Sequence, residues 1–423
     1  MTAPAWPAPH PDSPVDATVA LPSSKSLTNR ALVLAALADG TSTVTRPLVS
    51  RDTELMRAAL ESLGATITVD GDRWTVSPLG GDVADGTIDC GLAGTVMRFV
   101  PPVAALVDAR TTFDGDERAR VRPMSTTIES LRLLGVEVDD DGTGTLPFTV
   151  QGAGRLDGGV LEVDAAASSQ FVSALLLVAP RLTEGLDLRH TGDRVPSQPH
   201  VDMTITELRR RGVQVDTDGA RWVVAPGPID ALDVAIEPDL SNAGPFIAAA
   251  LVTGGTVRVQ HWPETTDQAG DAWRELAVAF GGTVERDGDD VVFTGGDTIT
   301  AADLDLGDVG ELTPVVAAVA ALADGPSRLT GVAHLRGHET DRLAALATEI
   351  SRLGGDVTEL DDGLEIRPRP LTGASVATYH DHRMAHFGVV LGLAVPDLVV
   401  EDVDTTAKTF PGFADAWSGA VGA

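Results

Sequence analysis

The sequence predicts an α/β protein of two similar domains, each built from three copies of one repeat unit. Its 423 residues exceed the usual size of a single hydrophobic core, and 43% of them are hydrophobic, which is enough to fill two cores. A short run of small or polar residues followed by an apolar helical stretch occurs six times, and equivalent positions in successive copies are 68 to 75 residues apart. Six units of roughly 70 residues therefore account for the whole length.

The first element of each unit is a helix whose sequence is almost continuously apolar, as is typical of a helix buried on all sides. Its six copies are KSLTNRALVLAAL from Lys25, AGTVMRFVPPVAAL from Ala93, SSQFVSALLLVAP from Ser168, SNAGPFIAAALV from Ser241, GELTPVVAAVAAL from Gly310 and DHRMAHFGVVLGL from Asp381. The small polar residues before each helix would lie at its N-terminus, where free backbone N–H groups and a partial positive charge favour anions. Taken singly, any one segment is better explained by ordinary helix capping. Arg or Lys inside several of the segments favours anion binding.

The second element of each unit is a helix that ends at glycine and is followed by two short alternating strands around a turn. Examples are ESLGATITVDGDRWTV from Glu61 and LRRRGVQVDTDGARWVV from Leu208. Glycine after the last helical turn is a C-cap signal, and Asp-Gly between alternating apolar residues is a hairpin signal. Each unit is therefore predicted as strand, helix, strand, helix and hairpin. A Rossmann fold is excluded because no G-x-G-x-x-G follows a strand and opens a helix.

The net charge of −31 argues against nucleic acid or an anionic membrane surface as a partner, because both require a basic face. Only two lysines are present, Lys25 and Lys408, and the single cysteine, Cys90, excludes an intramolecular disulfide. The N-terminal residues do not form a secretory signal, and no apolar run has the length of a membrane span. We therefore expect a monomeric, cytoplasmic protein that binds neither nucleic acid nor membrane.

Seven segments resemble, in order, the motifs of the EPSP synthase branch of the enolpyruvyl transferase family. They are LPSSKSLTNRALVLAAL (21–37), AGTVMR (93–98), RVRP (120–123), SSQF (168–171), GHETDR (337–342), DHRM (381–384) and AKTFP (407–411). The resemblance implies two domains, each of three βαβαββ units in an inside-out α/β barrel, with the active site in the cleft between them. It also implies that residues 1–22 and 239–423 form one domain and that residues 23–238 form the other.

The resemblance further implies the activity: transfer of the enolpyruvyl group of phosphoenolpyruvate to the 5-hydroxyl of shikimate 3-phosphate, with no metal or organic cofactor. The matching phosphoenolpyruvate-binding positions are Lys25, Gly94, Arg122, Gln170, Arg342, Arg383 and Lys408. Planar guanidinium groups suit a ligand that carries both a phosphate and a carboxylate. At Gly94 the missing Cβ would let the backbone approach the ligand.

Half of the ten positions that match the shikimate 3-phosphate site carry hydroxyl or amide side chains, which suit a polyhydroxylated ring. They are Lys25, Ser26, Arg30, Ser168, Ser169, Gln170, Ser197, Glu311, His334 and His338. His338 stands where many relatives have lysine, and His334 stands where many have asparagine. We expect the anions of the complex to keep His338 charged.

Two carboxyl groups are needed, because the 5-hydroxyl must lose a proton and C3 of phosphoenolpyruvate must gain one and later lose one. By resemblance these groups are Glu311, which acts on the 5-hydroxyl, and Glu339, which acts on C3 together with Lys25. Many relatives have aspartate where Glu311 stands, so this carboxylate reaches one methylene further.

Two other functions fit parts of the sequence. UDP-N-acetylglucosamine 1-carboxyvinyltransferase shares the fold and the chemistry, but it usually carries a cysteine in the loop equivalent to residues 114–123, where this chain has none. A non-catalytic repeat scaffold would expose similar residues in each unit. The equivalent positions here differ from unit to unit, as a shared asymmetric site requires.

Overall fold

The structure is a computed structural model that describes residues 5–422. Within that range the chain forms twelve α-helices and 23 β-strands. The helices are α1 Lys25–Leu37, α2 Arg51–Ser62, α3 Gly94–Ala105, α4 Ser125–Leu133, α5 Ser169–Val178, α6 Gln198–Arg210, α7 Gly244–Thr253, α8 Trp273–Ala279, α9 Thr313–Ala321, α10 Arg342–Arg352, α11 His382–Gly392 and α12 Phe413–Val421.

The strands are short, and they alternate with the helices along the chain. They are β1 Ala5–Pro7, β2 Asp16–Val19, β3 Ser42–Thr45, β4 Thr66–Asp70, β5 Arg73–Ser77, β6 Gly86–Asp89, β7 Arg110–Asp114, β8 Glu137–Asp139, β9 Phe148–Gln151, β10 Gly159–Val163, β11 Leu186–His190, β12 Val215–Thr217, β13 Arg221–Val224, β14 Val234–Ala235, β15 Thr256–Val259, β16 Thr283–Asp287, β17 Asp290–Thr294, β18 Asp303–Asp305, β19 Ser327–Thr330, β20 Asp356–Leu360, β21 Gly363–Arg367, β22 Ser375–Val376 and β23 Val399–Glu401.

The chain divides into two compact units. One unit is Ser23–Glu237, and the other consists of the residues up to Pro22 together with those from Pro238 onward. The family resemblance had led us to expect the second boundary one residue later, between residues 238 and 239. The second unit is called the Pro238 unit below.

The Ser23–Glu237 unit contains three four-stranded sheets, with the strand orders β14-β3-β5-β4, β6-β7-β9-β8 and β10-β11-β13-β12. In each sheet the first two strands are parallel and the last two form an antiparallel hairpin. A helix connects β6 to β7 and another connects β10 to β11, as predicted. In the remaining sheet the first strand is β14, from the end of this segment, which pairs with β3.

The Pro238 unit contains two four-stranded sheets of the same kind, β2-β15-β17-β16 and β18-β19-β21-β20, and a three-stranded sheet β1-β23-β22. The N-terminal strand β2 lies parallel to β15, so it belongs with the C-terminal half, as expected. The sixth copy departs from the predicted pattern. After β23 the chain continues into α12, not into a hairpin, and β1 takes the antiparallel place beside β23.

Each unit has its own apolar core, and three of its helices lie inside that core. Every residue of α9 is buried, because its sequence has no polar stripe that could face water. Helices α1, α3 and α5 contact one another in one unit, and α7, α9 and α11 contact one another in the other. The polar segments that begin these helices are therefore held near one another within each unit.

The predicted helix-ending glycine is confirmed at Gly64, which follows α2 and has φ +100°. A Cβ there would lie 2.7 Å from the carbonyl oxygen of Gly80, so both the backbone conformation and the available space require glycine. Across residues 5–422, no helix is both long enough and apolar enough to cross a membrane.

Candidate active site

Three predicted residues of the Ser23–Glu237 unit meet at the N-termini of α3 and α5. A Cβ on Gly94 would lie 3.1 Å from Gln170 Oε1 and 3.3 Å from both terminal nitrogens of Arg122. Arg122 is 8% exposed, and its Nε has no hydrogen-bond partner among residues 5–422. The arrangement leaves room for backbone and guanidinium donors to converge on one anion.

Lys25 is the first residue of α1, and its Nζ donates to Oδ2 of Asp52 at 3.1 Å. The Lys25 side chain is 16% exposed and that of Asp52 is 4% exposed. A side-chain hydrogen bond of 2.6 Å from Asn29 to Thr95 joins the first turns of α1 and α3. The set Lys25, Gly94, Arg122 and Gln170 is called the Lys25 cluster below.

The residues predicted to bind shikimate 3-phosphate have mixed roles in this structure. Ser168 is the N-cap of α5, since its Oγ accepts from the backbone N–H of Gln170 at 3.2 Å. Arg30 is 1% exposed and donates to the carbonyl oxygens of Ser26 and His200, at 3.1 Å and 2.7 Å. Arg30 thus stabilises the backbone at Ser26 by a hydrogen bond. Ser169 is buried in the first turn of α5, and Ser197 precedes α6 with φ +54°.

Arg342, the first residue of α10, is the centre of a second cluster in the Pro238 unit. Its Nε donates to Asp381 Oδ2 at 2.8 Å, and its Nη2 donates to Asp381 Oδ1 and to Glu339 Oε2, both at 3.1 Å. Arg342 is 2% exposed and Asp381 is fully buried. Burial opposes the charge of Arg342, but the carboxylates of Asp381, Glu339 and Glu311 outweigh burial and raise its pKa above the ordinary arginine value.

The two predicted catalytic carboxylates each have a charged or polar neighbour in the same unit. Glu339 Oε1 accepts from Nζ of Lys408 at 2.6 Å. Glu311 Oε1 accepts from the hydroxyl of Ser241. The carbonyl oxygen of Ser241 accepts from Arg383 Nη1 at 2.9 Å. The set Glu311, Glu339, Arg342, Arg383 and Lys408 is called the Arg342 cluster below.

His338 lies beside Arg342 in the same unit. Its Nδ1 is 3.1 Å from Nη1 of Arg342. A guanidinium group has donors and no acceptor, so a hydrogen bond between these two atoms requires the histidine tautomer that carries its proton on Nε2. The charged form that we expect in the substrate complex would have to give up this contact. The ring of His334 lies 5.7 Å away.

His386 lies on α11 close to the Arg342 cluster but faces the apolar core. It is fully buried, and its ring centroid is 4.8 Å from that of Phe413. Neither ring nitrogen has a hydrogen-bond partner within residues 5–422. Burial, and then the positive charges of Arg383 and Arg342, lower its pKa well below the ordinary value of 6.5.

His386→Met is expected to remove a loss of stability at acid pH. The unfolded chain takes up a proton near pH 6.5 while folded His386 does not, so the free energy of unfolding falls as the pH falls below that value. For one such group the slope is about 1.4 kcal/mol per pH unit. Urea unfolding measures the free energy of unfolding of both proteins at pH 7.5 and at pH 5.5, which lie about one unit above and below the ordinary histidine pKa. His261→Asn, at an exposed histidine, is the control; equal pH dependence in wild type and His386→Met would contradict the prediction.

Asp52 and Ser241 were not predicted as site residues, although both contact predicted ones. Asp52 lies 27 positions from Lys25, and Ser241 lies 70 positions from Glu311. Ser241 begins one of the six repeated segments, which is a signal that could have identified it. Asp52 lies in the first turn of α2, outside those segments, where it resembles an ordinary helix-start acid.

Solved structures share this fold over nearly the whole chain. Two structures of EPSP synthase from Acinetobacter baumannii match with TM-scores of 0.80 and 0.79 at 24% sequence identity, covering 98% of this chain and 97% and 98% of theirs. The enolpyruvyl transferase NikO from Streptomyces tendae matches with a TM-score of 0.75 at 18% identity, covering 99% of this chain and 98% of its own. The fold is that of the enolpyruvyl transferases.

Sequence comparison identifies the branch. The family profile of EPSP synthase (3-phosphoshikimate 1-carboxyvinyltransferase) matches residues 9–417. The curated 3-phosphoshikimate 1-carboxyvinyltransferase of Kocuria rhizophila is 54% identical over an alignment of 432 positions, which covers 99% of this chain and 96% of that protein. The chain belongs to the EPSP synthase family.

Proposed function

We propose that this chain transfers the enolpyruvyl group of phosphoenolpyruvate to the 5-hydroxyl of shikimate 3-phosphate and releases phosphate. The observation that carries the proposal is the Arg342 cluster. Glu339 lies within hydrogen-bond distance of both Arg342 and Lys408, and Glu311 shares Ser241 with Arg383. Two carboxylates beside cations that suit an anionic substrate are what the proton transfers of this reaction require.

Phosphoenolpyruvate carries a phosphate and a carboxylate, and both clusters offer donors for such groups. Arg122 and the Gly94 backbone supply them in one unit, and Arg342, Arg383 and Lys408 supply them in the other. Shikimate 3-phosphate is assigned to the N-termini of α1 and α5, where Ser26, Ser169 and Gln170 can contact its phosphate and hydroxyl groups.

The addition step joins the two substrates. The 5-hydroxyl oxygen attacks C2 of phosphoenolpyruvate, and Glu311 accepts the hydroxyl proton. Ser241 holds one oxygen of Glu311 and so fixes the plane of the carboxylate. The C3 methylene gains a proton from the ammonium group of Lys25, which the neighbouring carboxylate of Asp52 holds in place. The product of this step is a tetrahedral intermediate.

The elimination step breaks the intermediate down. C3 loses a proton to Glu339 as phosphate leaves with the electron pair of the C2–O bond. Arg342 and Lys408 both donate to Glu339, and two such cations favour a carboxylate over a carboxylic acid. These two cations support Glu339 as the group that accepts the proton from C3, and we assign the earlier donation to Lys25.

Phosphate release in a coupled assay, with each substrate omitted in turn, tests the proposal. We expect release only when phosphoenolpyruvate and shikimate 3-phosphate are both present. Release with UDP-N-acetylglucosamine in place of shikimate 3-phosphate, or no release with any pair, would overturn it.

The structure offers no support for the alternative enolpyruvyl transferase with a loop cysteine. The only cysteine, Cys90, is fully buried, and burial raises the pKa of its thiol to about 12. A buried thiol of this kind is inert. The lone cysteine supports the further proposal that the protein works in the cytoplasm, and we propose that it does so as a monomer.

A further inference from the structure

The loop of residues 377–381, which precedes α11, has an unusual backbone. Tyr379 has φ +55° and His380 has φ +59°. Among the non-glycine residues with positive φ between residues 5 and 422, these two alone are adjacent in the chain. L-residues avoid this region because Cβ crowds the backbone, so two in succession persist only where the surroundings hold them.

One side chain holds this loop from α10. Glu349 is fully buried, and its Oε1 accepts from the phenol hydroxyl of Tyr379 at 2.6 Å. Its Oε2 accepts from the backbone N–H of Ala377 at 3.3 Å, and Arg352 lies 3.2 Å from Oε1. A buried carboxylate is costly unless it is paired and hydrogen-bonded, so these contacts favour a single arrangement. Neither Tyr379 nor Glu349 was predicted as a functional residue.

The same helix also contacts the loop at a second point. Arg342 and Glu349 are seven residues apart on α10, which is two turns, so both side chains lie on one face of the helix. Arg342 pairs with Asp381, the residue directly after the two strained positions. Asp381 also caps α11, because its Oδ1 accepts from the backbone N–H of Arg383 at 2.9 Å. Asp381, the last residue of the loop, therefore contacts both arginines.

We propose that the Tyr379–Glu349 hydrogen bond is a positioning contact that holds the 377–381 loop in its strained form and thereby orients Arg342 and Arg383 for phosphoenolpyruvate. The inference rests on the proposed function, which assigns these two arginines to that substrate. We assign Tyr379 no contact with the reacting atoms. It acts through Asp381 and through the start of α11.

Tyr379→Phe tests the contact, because it removes the hydroxyl and keeps the ring. We expect the KM for phosphoenolpyruvate to rise roughly 5- to 10-fold, as one lost hydrogen bond would produce. The KM for shikimate 3-phosphate and kcat should both stay within about 2-fold. A purely structural role would not separate the two substrates in this way.

The control is Thr348→Ala, on the exposed face of the same helix, which removes a side-chain hydrogen bond of 2.7 Å to the Ala344 carbonyl oxygen. This variant should leave both KM values unchanged. In a Glu349→Leu background, Tyr379→Phe should add no further rise, because the contact is already absent.

A spectroscopic measurement tests whether the Tyr379–Glu349 hydrogen bond exists, without any enzyme assay. Tyr379 is the only tyrosine, so tyrosinate absorbance reports this residue alone. Burial and the hydrogen bond to Glu349 raise the pKa of Tyr379 to about 12. The folded wild type should therefore show no tyrosinate near pH 10, about where free tyrosine titrates. Glu349→Leu should bring the onset to lower pH.

The outcomes separate the two proposals. If the wild type fails the substrate-omission assay, the proposed function is wrong, and the titration still decides whether the contact exists. If the wild type is active but Tyr379→Phe has a normal KM for phosphoenolpyruvate, or raises both KM values equally, the positioning role is wrong. Tyrosinate formation by the folded wild type near pH 10, in the ordinary tyrosine range, would also overturn it.

Discussion

Glu311→Gln is expected to lower kcat by roughly 100-fold or more while both substrates still bind. The amide keeps the size of the side chain and can still accept from the Ser241 hydroxyl. It cannot accept the proton that the 5-hydroxyl must lose. Steady-state phosphate release, together with a binding measurement for shikimate 3-phosphate, separates loss of turnover from loss of affinity.

The matched control is Glu285→Gln, the same chemical change on the exposed strand β16. This variant should turn over like the wild type. If Glu311→Gln also keeps near-normal turnover, Glu311 is not the base, and another group must accept the hydroxyl proton.

Arg342→Met is expected to lower the free energy of unfolding by roughly 3–5 kcal/mol, because it leaves the fully buried carboxylate of Asp381 without its cation. The same change removes a phosphoenolpyruvate-binding guanidinium, so turnover should be almost abolished. Urea unfolding measures the first effect and phosphate release measures the second.

The double variant Arg342→Met/Asp381→Asn separates the two effects. Asparagine removes the buried charge, and its oxygen can still accept from the backbone N–H of Arg383. We expect much of the stability to return while turnover stays low. Arg369→Met, at an exposed ion pair, is the control and should cost about 1 kcal/mol or less. A double variant no more stable than the single one would contradict the buried-charge explanation.

Local sequence patterns were sufficient to predict the repeated architecture. The apolar runs of α1 and α9 could be recognised as buried helices because neither leaves a polar stripe for solvent. Gly64 marked the end of α2, and the alternating residues after it marked the hairpin β4–β5. These signals work because helix ends and hairpins are decided by residues close together in the chain.

The motifs also supplied the candidate substrate-binding residues. Lys25, Gly94 and Arg342 each lie at the start of a helix, where an anion is favoured, and each falls in a segment that resembles a family motif. The sixth repeat shows where local pattern failed. The sequence after α11 contains no hairpin signal, and only the fold shows that β1 lies beside β23.

These local patterns therefore predict the repeat, the buried helices, the family resemblance and the candidate cations. The partners of those residues depend on tertiary packing. Lys25 pairs with Asp52, 27 positions away; Arg342 pairs with Asp381, 39 positions away; and Lys408 pairs with Glu339, 69 positions away. Each pair joins side chains from different elements, and their separation depends on how those elements pack, which no local pattern encodes.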